Sequence, residues 1–367
     1  MTSRAFITGL AGLSISANER AFLRETRPWG LIIFKRNVST PSQVAELAQS
    51  FRDAVGWHAP VLVDQEGGRV QRLGPPAWPA YPPGARYGDL YDREPAAGIA
   101  AARLAGHLIA ADLAALGIDV DCLPLADVPL EAADPIIGDR AYGSEPGKVA
   151  AIAKAIAEGL QAGGVLPVLK HLPGHGRATA DSHHRLPVVD TDRATLEATD
   201  FAAFRPLAGL PLGMTAHVVF SAIDPVAPAT TSATMVKQVI RGFIGFQGLL
   251  MSDDVSMKAL SGTIAERSRA ALAAGCDVVL HCNGDMSEMI AVAGEAPELS
   301  GDAAKRADTA LAARVGPEQF DVEAARSHGL GMVSVDERVR LCQGSVTVTS
   351  KLNRGTTLTA RIPLTGN

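Results

Sequence analysis

Eight short apolar runs rich in Val, Ile and Leu recur along this chain, at residues 5–10, 30–34, 60–64, 119–125, 165–169, 212–216, 248–252 and 277–281. Each has the length of a strand, and nearly unbroken apolar character over that length marks a strand covered on both faces, as in a parallel sheet. Between them lie alanine-rich stretches at 41–54, 96–116, 146–162, 192–204, 233–240 and 264–274, with apolar residues at helical spacing. Such alternation specifies an α/β fold, and eight units within roughly 300 residues predict a TIM (β/α)8 barrel. An open doubly wound sheet is the alternative, because alternation alone does not show closure. In a barrel the site lies at the C-terminal ends of the strands, so the polar residues just after each run are the candidates.

Composition narrows the partners. With 367 residues, 47% of them apolar and 20% charged, the chain can bury a large core as one big domain or one domain plus an appendage. A net charge of −5 and an aromatic content of 5% give neither a basic footprint nor stacking platforms, which argues against nucleic acid. The opening M-T-S-R-A-F-I-T-G-L reads as neither a signal peptide nor a membrane span, so a soluble, cytoplasmic protein without membrane attachment is expected. Cys122, Cys276, Cys282 and Cys342 lie far apart, which suits reduced thiols better than a disulfide framework or a zinc site.

Four segments carry candidate chemistry. After the third run comes Asp64-Gln65-Glu66-Gly67-Gly68-Arg69-Val70-Gln71-Arg72. A solvated turn with surface ion pairs is the bland reading. An acid at the very end of a core strand fits sugar binding better, since it accepts hydroxyl hydrogen bonds while arginine donates several in a fixed fork. After the fourth run, a turn-rich segment supplies Arg140. The seventh run ends in Ser252-Asp253-Asp254. Neighbouring strand residues point to opposite sides, so one acid faces the barrel axis as a candidate nucleophile and the other is a structural partner.

The richest segment is Lys170 to His184, K-H-L-P-G-H-G-R-A-T-A-D-S-H-H, read as a strand opening into a functional loop. His171, His175, His183 and His184 could be zinc ligands, but no helical H-E-x-x-H is present and prolines and glycines intervene; neither metal nor cofactor is expected. Asp181 stands two residues before His183, a spacing that lets the carboxylate fold back onto an imidazole nitrogen. Such a dyad serves as general acid and base near neutral pH.

Taken together and in order, D-Q-E-G-G-R-V-Q-R, I-G-D-R-A-Y, K-H-L-P-G-H-G followed by D-S-H, M-T-A-H-V and S-D-D-V-S-M resemble glycoside hydrolase family 3. The resemblance is narrower still to its single-domain β-N-acetylglucosaminidases of bacterial cell-wall recycling, from about residue 5 to about residue 326. It implies a TIM barrel, Asp253 as nucleophile, His183 paired with Asp181 as acid/base, and sugar binding by Asp64, Arg72, Arg140, Lys170 and His171. It also implies a retaining exo-enzyme that removes terminal β-linked N-acetylglucosamine, chiefly from 1,6-anhydro-muramyl peptides, so that the partner is a muropeptide substrate. The stretch Arg177-Ala178-Thr179 departs from the pattern, where many relatives carry an acidic residue. Phosphorolysis of the same glycosyl ester and a non-catalytic sugar-binding barrel are the alternatives.

The tail is read apart, giving a barrel domain at 1–326 and an appended fragment at 327–367. From Gly329 it reads as a helix of about three turns and two alternating strands around Asn353-Arg354-Gly355, a short α-β-β appendage. It resembles the end of a histidine-kinase ATP-binding domain, with Gly329-Leu330-Gly331 and Gly355-Thr356-Thr357 but neither the asparagine-bearing helix nor the Asp-x-Gly-x-Gly loop. No nucleotide site is expected there. The protein is expected to be a monomer or a weak, tail-mediated oligomer.

Overall fold

The computed structural model describes residues 3–130, 135–178, 181–182, 185–326, 345–351, 355–361 and 363. All eight expected strands form: β1 (Arg4–Thr8), β2 (Pro28–Ile33), β3 (Val61–Val63), β4 (Val120–Asp121), β5 (Leu166–Leu172), β6 (Leu212–Thr215), β7 (Leu249–Asp254) and β8 (Val278–His281). Each pairs in parallel with its neighbours in the chain, and β1 closes on β8 through Phe6 with Val279, Ile7 with Leu280 and Thr8 with His281. Eight parallel strands in consecutive order, closed on themselves and flanked by helices, are a TIM barrel. A core cluster including Ile7, Ile32, Leu62, Val120, Val168, Met214, Met251 and Leu280 runs through it.

The strand ends differ from the apolar runs in two instructive ways. Strand β4 is only two residues long because Pro124 has no N–H to give its neighbour. The following backbone still tracks the barrel, with the Cys122 N–H donating to the Val63 carbonyl at 2.8 Å and the Leu123 and Pro124 carbonyls accepting from Val168 and Lys170 at 2.9 and 3.0 Å. Strands β5 and β7 run past their apolar portions, so that Lys170, His171, Asp253 and Asp254 sit on strands and not on loops.

Among the helices, Pro146–Ala162 and Ile264–Ala274 match the periodicity, and Pro41–Val55 starts where the Thr40 side chain accepts from the Gln43 N–H at 3.3 Å. The stretch at 192–204 divides into the helix Arg193–Ala198 and a 3-10 turn at Phe201–Ala203, and that at 233–240 becomes a π-helix, Met235–Ile244. The helix Pro95–Ala114 is long and apolar enough to cross a membrane by length and composition. Here it lies against Pro146–Ala162 and buries Ala102, Ala105, Leu108, Ile109 and Leu113.

At the N-terminal rim of the barrel two buried aspartates tie helices to strands. Asp277, just before β8, accepts from Arg241 at 2.8 Å, Arg306 at 2.9 Å and the Leu250 N–H at 2.9 Å. Asp119, just before β4, pairs with Arg52 and Arg314 and accepts from the Val61 N–H at 3.3 Å.

The chain divides into two compact units, Met1–Glu318 and Gln319–Asn367. The second contains the short helix Val322–Ala325 and an antiparallel hairpin of Ser345–Lys351 with Gly355–Arg361, in which Val348 pairs with Leu358. The helix expected ahead of that hairpin falls in 327–344, outside the described residues.

Candidate active site

A pocket of about 240 Å³ opens at the C-terminal ends of the strands, lined by residues that follow or end β2, β3, β5, β7 and β8. Its floor is an ion-pair network. Asp64, immediately after β3, accepts from Lys170 at 3.0 Å and Arg72 at 2.9 Å. Glu66 accepts a two-pronged bond from Arg140, with both contacts at 2.8 Å, and lies 2.6 Å from the Lys170 ammonium. Lys170 is almost fully buried and bridges the two carboxylates.

The electrostatics follow from this pairing. Burial alone would raise the carboxyls of Asp64 and Glu66, but Lys170 with Arg72, and Arg140 with Lys170, overcome it; Asp64 lies well below the carboxylate range and Glu66 near 2. Burial likewise opposes the charge on Lys170, which the two acids restore and push upward. Asp121, at the end of β4, bonds to no basic side chain among the described residues. It accepts the Gln65 N–H at 2.9 Å, its Oδ2 is buried without a partner among the described residues, and burial pushes it up to about 8.

A second group sits on the loop after β4. Asp127, fully buried, accepts from the His171 ring Nδ1 at 2.7 Å and from the backbone N–H of His175 at 2.7 Å. That contact sets the ring plane of His171 and makes Nδ1 the protonated nitrogen. His175 packs edge-on to His171 and bonds Ser182 Oγ through Nε2 at 3.1 Å; burial, with His171 beside it, pushes its ring down to about 4 and keeps it neutral.

The two acids at the end of β7 part company. Asp254 accepts from the Ser256 N–H at 3.0 Å, the Ser256 hydroxyl at 2.6 Å and the Cys282 N–H at 3.2 Å, while its carbonyl meets the buried His217 at 3.0 Å. Asp253 accepts the Asp254 N–H at 2.8 Å and donates its own N–H to Thr215 Oγ1 at 3.3 Å. The Phe34 ring, also at the pocket, meets the guanidinium groups of Arg36 and Arg72, each centred 5.0 Å from it. Ile32, Met214 and Leu280 complete the apolar lining.

A model of the glycosyl hydrolase family 3 N-terminal domain matches residues 6–312. The chain belongs to glycosyl hydrolase family 3. A family 3 relative, the β-hexosaminidase of Alkalilimnicola ehrlichii, is 41% identical over 281 residues, covering 75% of this chain and 79% of its own. The crystal structure of NagZ from Neisseria gonorrhoeae in complex with N-trifluoroacetyl-D-glucosamine superposes with a TM-score of 0.82 at 30% identity, over 90% of this chain and 98% of that one. The β-N-acetylhexosaminidase of Beutenbergia cavernae does so with a TM-score of 0.69 at 28% identity, over 90% and 96%.

On this family 3 barrel, Asp64, Arg72, Arg140, Lys170, His171 and Asp253 line one pocket, as do Ser182 and Asp254; both acids at the end of β7 reach it, against the expectation of one, where the ladder shifts register between Met251 and Asp254. Asp181 is half-buried and its carbonyl accepts from the Arg185 N–H at 3.1 Å. His183 lies outside the described residues, and with it the His183–Asp181 contact. Sequence reasoning passed over Glu66 and Asp127. Alternation along the backbone puts Glu66 on the same side as Asp64, a signal that was available. Asp127 stands in an otherwise apolar stretch, Leu123 to Val128, where a buried acid calls for a partner.

Proposed function

We propose that this protein is a retaining exo-β-N-acetylglucosaminidase that removes terminal β-linked N-acetylglucosamine from 1,6-anhydro-muramyl peptides during peptidoglycan recycling in the cytoplasm. At the coarser level it is a glycoside hydrolase of the β-N-acetylhexosaminidase class. The observation that carries the finer reading is the convergence of Asp64, Arg72, Arg140, Lys170, His171 and Asp253 on one pocket at the strand ends. Two carboxylates held by three cationic side chains offer hydroxyl groups of a sugar both acceptors and donors at fixed positions.

The Asp253 carboxylate attacks the anomeric carbon as the glycosidic C–O bond breaks, forming a glycosyl ester. His183, protonated and supported by Asp181, gives its proton to the leaving oxygen; it then takes one from the water that cleaves the ester. Asp254 holds the end of β7 in place through Ser256 and Cys282. Residues 327–367 stand outside this chemistry, as an appended fragment resembling the end of a histidine-kinase ATP-binding domain.

The test is hydrolysis of 4-nitrophenyl β-N-acetylglucosaminide against its glucose analogue, with and without inorganic phosphate. Release of N-acetylglucosamine at a rate independent of phosphate is expected, with the glucoside a poor substrate. Formation of a sugar 1-phosphate would make the enzyme a phosphorylase, and failure to cleave either glycoside would leave a sugar-binding barrel.

A further inference from the structure

The segment between β5 and the short strand Val188–Val189 carries His183 in its sequence, and the described residues on either side of His183 are held tightly. On the near side, Gly174 has φ +147° and no room for a side chain that would not press on Asp200, 3.3 Å from an added Cβ. An added Cβ at Gly176 would lie 2.1 Å from the Val128 carbonyl oxygen, so the backbone is wedged against the loop after β4. Between these two glycines the His175 N–H is bound to Asp127. Directly before His183, the Ser182 carbonyl accepts from the Ala259 N–H at 3.2 Å, and on the far side the Pro187 carbonyl accepts from the Val219 N–H at 3.0 Å.

Arg177 is the one charged side chain at the root of this segment, directly after the wedged Gly176. Its Nε donates to Asp200 Oδ2 at 2.6 Å and its Nη2 to Thr199 Oγ1 at 2.9 Å, and that hydroxyl itself lies 2.7 Å from the same carboxylate oxygen. Asp200 is 1% exposed, at the end of the turn after Arg193–Ala198. None of Arg177, Thr199 and Asp200 lines the pocket. A planar fork with one prong on a buried carboxylate and the other on a hydroxyl fixes both position and direction of the residue bearing it, which a lysine would not do.

We infer that Arg177, clamped by Asp200 and Thr199, is a positioning residue that sets the path of the His183-bearing segment and so acts on the proton-transfer step. This rests on the function proposed above. Because none of the three clamp residues lines the pocket, its loss is expected to leave the sugar-binding residues and Asp253 in place and to act through the proton donor. The penalty then scales with how much the leaving group needs that proton.

The experiment compares kcat/KM, which reports the first chemical step, on N,N′-diacetylchitobiose and on 2,4-dinitrophenyl β-N-acetylglucosaminide, for the full chain and its Arg177→Ala, Arg177→Lys and His183→Ala variants. Arg177→Ala is expected to lose about 10- to 100-fold on the disaccharide and less than about 3-fold on the activated phenol. Arg177→Lys should recover part of the loss. Since Arg177→Ala leaves Asp200 buried and unpaired, a double variant, Arg177→Leu with Asp200→Asn, removes the clamp without that orphan charge and should show the same substrate-dependent loss. Equal losses on both substrates, or none on either, overturn the inference. If His183→Ala discriminates between the substrates and Arg177→Ala does not, the proposed function stands and the positioning role falls. A parent enzyme that cleaves neither substrate overturns the function on which the role rests.

Discussion

Both rims of the barrel hold buried carboxylates paired with basic side chains, yet they serve different ends. At the N-terminal rim Asp119 and Asp277 each meet two arginines and a strand N–H, and the arginines come from helices or from the chain just after one. At the C-terminal rim the bases come from a strand and from loops, Lys170 on β5 with Arg72 and Arg140, and the cluster faces a pocket. One arrangement staples layers together, and the other presents charge to a cavity. What separates structure from function here is which element supplies the base and whether a cavity adjoins it. Strand β4 shows the contrast within three residues. Asp119 points to two arginines, whereas Asp121 has an amide N–H and is pushed up to about 8.

The contrast breaks most sharply at Asp253. Asp253→Ala should lower turnover by roughly 10⁴-fold or more while the thermal midpoint stays within about 2 °C. Asp254→Ala should instead lower the midpoint, because it strips the acceptor from Ser256 and Cys282. An active Asp253→Ala beside a dead but stable Asp254→Ala would reverse the two roles. His183→Ala comes next, with an expected loss of about 10²- to 10⁴-fold on substrates with alcohol leaving groups and far less with an activated phenol. Equal losses on both would remove His183 from the acid role.

At the other rim, Asp277→Ala leaves Arg241 and Arg306 without their acceptor and should cost about 3–5 kcal/mol in denaturant unfolding, with kcat unchanged wherever the protein remains folded. A selective loss of kcat would erase the distinction between the rims. Asp121 provides a smaller and pH-dependent test. Its folded pKa lies above the unfolded value of 3.8, so its contribution to stability is full at low pH and is lost as pH rises towards about 8. Asp121→Asn fixes the neutral form, and the variant should gain unfolding midpoint over the parent at about pH 8 and little at about pH 5. A gain that does not vary with pH would show that Asp121 does not titrate in this window. The smallest effect is expected from ending the chain after Arg326, which should leave kcat/KM within about 2-fold and ATP bound by neither form. Micromolar ATP binding to the full chain would contradict this.

The barrel was legible because strands covered on both faces must be apolar, and eight such runs stand out. The strand ends were not, because function places charge on them. Lys170 and His171 read as loop residues from their polarity, but their backbones continue the barrel ladder. The helix Ala17–Thr26 was missed for a related reason. It is markedly polar, with a Ser16–Glu19 capping box and only Glu19, Phe22 and Leu23 buried. The pocket-floor residues were found through their position after strands, while Glu66 required counting by twos and Asp127 required asking why an acid should be buried at all.

The seam between β1 and β8 has a consequence for how the enzyme is made. A chain emerging from the ribosome delivers β1 first and β8 last, so through most of synthesis the growing sheet carries two unsatisfied edges that only residues 278–281 can join. The Cys282 backbone, which donates its N–H to Asp254 and whose carbonyl oxygen accepts from Arg36, emerges just behind that last strand. A nascent chain that ends before residues 278–282 therefore has neither a closed barrel nor the Cys282 N–H that the Asp254 carboxylate accepts.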